Sequence, residues 1–248
     1  MAVSSLNHKF HNHARSNSLP SKPHPLILQC NEHLARLGSC ETISSSLLGQ
    51  NLTTLLDLHE CIEKLVQLPL TQEALVQERQ EKWVDDLLDG SLRLLDACTE
   101  TKDALLHTKE CTRELQSTIR RRRGGEVELT VEVKKFLTSR KVVRKAIFKA
   151  LENLKAQAKR SSWALVSKLM QSKRVGYAQV AEENEFAKVD AALQLFALNM
   201  STKSNDISGL QKKLENLGTC IQDLEEGLES LFRRLIKIRV ALLNILNH

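Results

Sequence analysis

Leu210, Leu214, Leu217, Ile221, Leu224, Leu228, Leu231, Leu235, Ile238, Leu242 and Ile245 stand at an unbroken 4-3-4-3 spacing. With 42% of positions hydrophobic, such a run arises by chance about once in two thousand trials, every register allowed. A 3.5-residue repeat keeps one seam of a helix against a partner helix and implies left-handed supercoiling, here over roughly 55 Å at 1.5 Å per residue. The chain therefore needs one long helix and a surface to receive its seam. Past Gly227, Phe232, Ile236, Val240, Leu243 and Leu246 widen the apolar face, so this end is expected to be buried on more than one side. An intramolecular bundle accounts for that better than a free two-stranded coil, with self-association through this helix as the alternative.

The rest of the chain can supply such partners. Only 9 Gly, 4 Pro and one Tyr in 248 residues argue against a sheet, which needs turns and aromatic pairs. A short helix is expected over Leu26 to Leu37. A second follows the Ser/Thr cluster at Thr42 to Ser46, carries Leu48, Leu52, Leu55, Leu58, Ile62 and Leu65 at helical spacing, and ends near Leu68 because Pro69 disfavours helical geometry before it. Thr71 is expected to cap one long helix reaching Arg123, softened at most at Gly90, with Val84, Leu87, Leu88, Leu95, Cys98, Leu105, Leu115 and Ile119 on its apolar stripe. Gly124-Gly125 breaks it, Glu126 to Ala158 returns as the second arm of a hairpin, and a less regular helix spans Trp163 to Met200. Ser201 to Ser208 reads as a connector, and the heptad helix is expected from near Gly209 to near Asn247. The expected fold is all-α: an elongated bundle of long antiparallel helices with a coiled-coil-like C-terminal helix. It forms one domain over residues 25–248 behind a disordered Ser/His/Pro-rich tail at 1–24.

Charge is distributed unevenly along this bundle. Between Arg120 and Arg174 there are 17 basic and 4 acidic residues, while the remainder holds 19 basic and 26 acidic, together giving the net +6. Arg120, Arg121, Arg122, Arg123, Lys134, Lys135, Arg140, Lys141, Arg144 and Lys145 form the candidate basic surface. The simplest reading is a solvated face that also pairs with acidic helices of its own bundle, Asp85, Asp86, Asp89 and Asp96 being the expected counterpart. An acidic protein or an anionic membrane surface is an alternative target, the latter helped by Arg233, Arg234, Lys237 and Arg239 beside the apolar C-terminal face. Nucleic acid is disfavoured, since no zinc finger, basic zipper or aromatic stacking pattern accompanies the charge.

Catalytic and metal chemistry find little support. The cysteines at 30, 40, 61, 98, 111 and 220 make no C-x-x-C pair, so neither a zinc site nor a disulfide framework is expected and a reducing, intracellular compartment, most simply the cytoplasm, is the plainer reading. His8, His11 and His13 with Cys30 and His33 match no zinc spacing. No nucleophile elbow, phosphate loop or dinucleotide turn occurs, so no cofactor and no enzymatic activity are expected; an enzyme acting on a small metabolite would need a carboxylate or histidine cluster lining a bundle cavity. No apolar run approaches the ~20 residues of a membrane span. Residues 1–31 lack the apolar core of a secretory signal, although their composition also suits a plastid transit peptide.

The sharpest short motif is Arg15-Ser16-Asn17-Ser18-Leu19-Pro20, which resembles the phosphoserine sequence bound by 14-3-3 proteins. Phosphate on Ser18 would supply about two charges to an arginine cluster, while Pro20 would turn the chain out of the groove.

The blocks RSNSLPSKPHPLI, DLHECIEKLVQLPLTQEAL, KWVDDLLDGSLRLLDACTETKDALL, IRRRRGGE and LFRRLIKIRVALLNILNH together resemble the plant BYPASS-related family. The likeness runs from about Arg15 to the last residue and is weakest between Lys155 and Asn205. It implies a plant protein linked to root and shoot development and carries over no catalytic residue. The expected function is thus that of a non-enzymatic interaction or regulatory protein, with peripheral membrane association as the runner-up.

If the seam is internal, Leu231→Asp places an unpaired charge in it. A loss of several kcal/mol in urea unfolding is expected, and melting like the parent would refute the packing.

Overall fold

The computed structural model describes residues 23–39, 45–121, 126–158, 184–198 and 204–247. They form α1 (Pro25–Gly38), α2 (Ser45–Val66), α3 (Pro69–Gln77), α4 (Lys82–Arg121), α5 (Glu126–Ala158), α6 (Glu185–Leu198) and α7 (Ser204–Asn247), with no strand among the described residues. The all-α expectation holds, and α7 begins at Ser204, inside what reads as a connector.

Local chemistry explains the boundaries. His24, the last residue assigned to the tail, is the N-cap of α1: its Nδ1 accepts from the Leu26 N–H at 3.2 Å, and Pro25 takes the first turn, where a missing N–H costs nothing. Pro69 plays the same part for α3. Leu68 before it is extended (φ −70°, ψ 132°), as the proline ring requires, and caps α3 without a side-chain bond. The cap expected at Thr71 is therefore not used.

The single helix expected from Thr71 to Arg123 is two helices, divided at Glu78 to Glu81, while Gly90 interrupts nothing. The reason is phase. Leu75 and Val84 are nine residues apart, half a turn out of step in a continuous helix, yet both are buried. Leu75 packs with Val66, Ile238 and Leu242, joined by Leu87 and Leu88 of α4, and only a break lets both sides of the divide face inward. The wholly polar stretch between them has nothing to bury.

Two long helices organise the bundle. α7, of 44 residues and about 66 Å, runs antiparallel to α4 along most of its length. Nine of its eleven seam residues are buried, and Leu224 and Ile245 are half-buried. The seam changes partners midway. Leu210, Leu214, Leu217 and Ile221 meet Leu115 and Ile119 of α4, Val133 and Phe136 of α5, and Val189 and Leu193 of α6. Leu228, Leu231 and Leu235 meet Cys98 of α4 together with Leu52, Leu55 and Leu56 of α2. Ile238 and Leu242 finish against α2 and α3, while α1 packs on α2 through Cys30, Leu58 and Cys61. α2 enters parallel to α7, pairing Glu60 and Glu63 with Arg234 at 2.9 and 3.5 Å.

The widened apolar face near the C-terminus is only partly covered. Phe232 and Leu246 are absorbed by the flanking helices, whereas Ile236 and Val240 remain 41% and 50% exposed, because α2 and α4 straddle the seam and no described helix reaches the far side.

Along α4 and α7 a charged ladder follows the seam. Lys109 pairs with Glu225, and Lys102 pairs with Glu229 while lying over the Phe232 ring, 5.2 Å from its centroid. The bonds from Lys102 and Arg233 hold the Glu229 carboxyl below the usual carboxylate range. Farther along, the Arg239 guanidinium donates to the Leu88 carbonyl and to Ser91 Oγ.

Gly227 marks the crossover between the two partner sets. A Cβ there would sit 2.4 Å from Leu52 Cδ2, whereas at Gly218 it would meet nothing within 4 Å. Gly218→Ala is therefore expected to raise stability by about 0.5–1 kcal/mol through helix propensity. Gly227→Ala should instead lower it by about 1–2 kcal/mol through overpacking. Equal shifts of the two variants in chemical unfolding would show that α2 does not approach α7 here.

Candidate interaction surface

α5 carries the described part of the basic surface beyond Arg121, and burial sorts its residues by role. Val133, Phe136 and Val143 follow helical spacing on the inward side and are buried. Arg140 lies on that same side. Its side chain is only 12% exposed, its Nε donates to Asp190 Oδ1 at 3.3 Å, and its guanidinium stands 4.9 Å from the centroid of the Phe186 ring. Arg144 reaches the other oxygen of Asp190 at 2.9 Å from a solvent-facing position. Asp190 thus fastens α6 to α5 through one buried and one exposed guanidinium.

The remaining basic residues divide further. Lys135 donates to Glu114 of α4 at 2.9 Å; that bond, with the charges of Glu114 and Glu132, holds the Lys135 ammonium above the ordinary lysine range. Arg120 pairs with Glu215 at 3.6 Å, and Arg121 donates to Ser117 at 2.8 Å. Lys134, Lys141 and Lys145 are exposed and form no ion pair among the described residues. Being seven and then four residues apart, they share one side of α5, opposite its buried stripe. Arg122 and Arg123 lie outside the described residues, as do Arg15, Ser16, Ser18 and Pro20.

The acidic partners of the hairpin differ from those expected. Across helices its basic residues pair with Glu114, Asp190 and Glu215, whereas Asp89 of the expected group pairs with Arg93 of its own helix at 3.8 Å. The hairpin explains this: α5 starts beside the end of α4, so its basic residues come level with the C-terminal part of α4. Asp190 was missed because an isolated carboxylate in an apolar helix carries no signal until α6 is docked.

Two features lacked any sequence signature. Ser139 Oγ lies 2.7 Å from His107 Nε2 and 3.3 Å from Cys111 Sγ, across the α4/α5 contact. A hydroxyl beside an imidazole is the start of a nucleophile and base pair, but no described carboxylate orients the other ring nitrogen and His107 is exposed, so the group reads as a polar clasp. Beyond Val143, moreover, α5 continues without a described neighbour along its apolar stripe. Ile147 and Leu151 are 41% and 43% exposed, and Phe148, turned toward the lysine side of the helix, is 65% exposed.

Among the described residues, no group of three His, Cys, Asp or Glu is arranged to hold a metal ion, and no helix is long and apolar enough to cross a membrane. Fold and surface together define an all-α bundle protein whose distinctive feature is a basic, partly uncovered helix. A family model described as Protein BPS1 matches residues 51–162 and 155–245, and the chain belongs to that family, the BYPASS-related family its sequence blocks resemble. No curated protein and no solved structure was found to match it.

Structural and free charges should separate on mutation. Asp190→Asn leaves Arg140 largely buried without its counter-charge, and a loss of about 3 kcal/mol in urea unfolding is expected. Lys141→Ala and Lys145→Ala should each stay within about 0.5 kcal/mol of the parent. Equal losses from all three would contradict this division.

Proposed function

We propose that the chain is a non-enzymatic plant regulatory protein that works by binding other proteins. The observation that carries this reading is the exposed ridge of Lys134, Lys141 and Lys145, which form no ion pair among the described residues, on a helix whose opposite side is packed into the bundle as far as Val143. Lysines held in register on a stiff helix lose little order when an acidic partner docks, and their field speeds the encounter. Family membership supports a role in plant regulation, and the resemblance links that role to root and shoot development.

A second, switchable contact is the N-terminal motif around Ser18. Arg15 stands three residues upstream, where many Ser/Thr kinases accept a basic residue, and phosphorylation would create an anchor for a 14-3-3 protein. Membrane association is the alternative, favoured by the exposed Ile236 and Val240 beside Lys237 on α7. Flotation with anionic and neutral liposomes separates the two: recovery of the chain only with anionic vesicles would favour the membrane.

The test of the switch is titration of peptides spanning Ala14 to His24, phosphorylated on Ser18 or not, against a plant 14-3-3 protein, with Ser18→Ala in the full chain as control. Binding by the phosphorylated peptide alone, lost on Ser18→Ala, is expected. Equal binding of both peptides removes this site from the account.

A further inference from the structure

In the α4/α5 hairpin, Lys135 lies against Glu114 and Ser139 against Cys111. Continued in that antiparallel register, the last turns of α5 would cover the middle of α4, near residues 92–105. They do not. Ala146 and Asn153, which that register turns toward α4, are exposed, as are Leu92 and Leu106 of α4 at 45% and 51%, while Phe148 and Leu151, 65% and 43% exposed, lie on the far side of α5. The ties of Arg140 and Arg144 to Asp190 bind this part of α5 to α6 instead.

The two uncovered faces are chemically matched. On α4, Asp85, Asp89, Leu92, Asp96, Asp103 and Leu106 follow helical spacing on one exposed side. On α5, Phe148 and Leu151 are flanked by Arg144, Lys145, Lys149 and Lys155, with Glu152 the sole acid from there to Ala158. The strips are also similar in length, about 27 Å from Asp85 to Asp103 and about 22 Å from Arg144 to Ala158.

We propose that the acidic face of α4 in one copy receives the basic, apolar end of α5 from a second copy, giving a reciprocal two-fold dimer. Each copy carries both halves of the contact, as a closed isologous interface requires, and two α5 ends cannot pair with each other because both are cationic. A second copy supplies each face with what it lacks, apolar residues at the centre and opposite charges at the rim. The dimer uses the distal end of the lysine ridge and so rests on that ridge being a contact surface; partner binding through phosphorylated Ser18 does not depend on it.

The experiment is sedimentation equilibrium of the full chain with two variants, Lys145→Glu/Lys149→Glu and Asp96→Lys/Glu100→Lys, all substitutions being at exposed sites. The parent is expected at twice the monomer mass in about 0.1 M salt and to dissociate toward monomer at about 1 M, where the screening length falls to about 3 Å. Each variant alone should associate more weakly by on the order of tenfold or more. An equimolar mixture should recover the dimer, because both contacts of the heterodimer regain opposite charges, a result misfolded chains cannot produce. A parent that is monomeric at every concentration overturns the proposal, as do variants that dimerise like the parent or a mixture that stays monomeric. A monomeric parent that binds phosphatidylserine vesicles through Lys145 and Lys149 would assign the surface to a bilayer instead. Any of these failures leaves the Ser18 reading standing, since its peptide titration does not involve α5.

Discussion

Everything in this molecule is arranged around the contact between α4 and α7. The leucine and isoleucine seam of α7 is one continuous stripe, yet it serves two different groups of helices, and α4 is the one neighbour present in both. That arrangement makes the long helices a common spine, with α5 and α6 applied to one end and α1, α2 and α3 to the other. Gly227 lies where the second group begins, and its missing side chain lets Leu52 of α2 reach the α7 backbone. Without that close approach α2 would stand farther from the seam, and the hydrophobic contacts of Leu55 and Leu56 would weaken with it.

The seam of α7 was legible because every one of its positions is apolar. Its counterpart on α4 was legible only in part. Leu95, Cys98, Leu105, Leu115 and Ile119 stand on the expected stripe, but Ser91, Thr108 and Thr112 also stand at buried positions and break the hydrophobic pattern. Their hydroxyls are satisfied within the helix, Thr108 bonding to the Ala104 carbonyl at 2.8 Å and Thr112 to the Thr108 carbonyl at 2.7 Å. Small polar residues satisfied in this way can face a core as alanine would, which a binary hydrophobic pattern cannot register. The division between α3 and α4 was hidden for a related reason. The residues from Glu78 to Lys82 are acceptable helix formers, and only the burial of both Leu75 and Val84 forces the chain to break there.

The basic surface was legible as a charge imbalance but not in its division of labour. From composition alone Arg140, Lys135 and Lys141 are equivalent cations. The bundle makes the first a buried fastener for Asp190, the second a surface pair for Glu114, and the third an exposed charge with no ion pair among the described residues. The distinction follows from helical phase, since Arg140 falls on the stripe of Phe136 and Val143 while Lys141 lies 100° around the helix from it. Arginine suits the fastening role because its planar guanidinium can hold a carboxylate and lie beside the Phe186 ring together, which an ammonium does less well. The acidic counterpart could not be located until α6 was placed, because one aspartate among the alanines and leucines of α6 gives no hint of its neighbour.

The same geometry explains why the periphery can carry interaction chemistry without endangering the fold. Stability is concentrated where helices pack on more than one side, as at Leu214, Leu217 and Ile221, which are wholly buried. The end of α5 contributes little to that core, so its backbone bonds and side chains open to solvent at low cost. Substitutions there should cost little stability, while those at Asp190 or along the seam act first on stability. That surface can be altered while α4 and α7 remain as they are, because its exposed apolar residues and lysines lie outside the contacts that hold those two helices together.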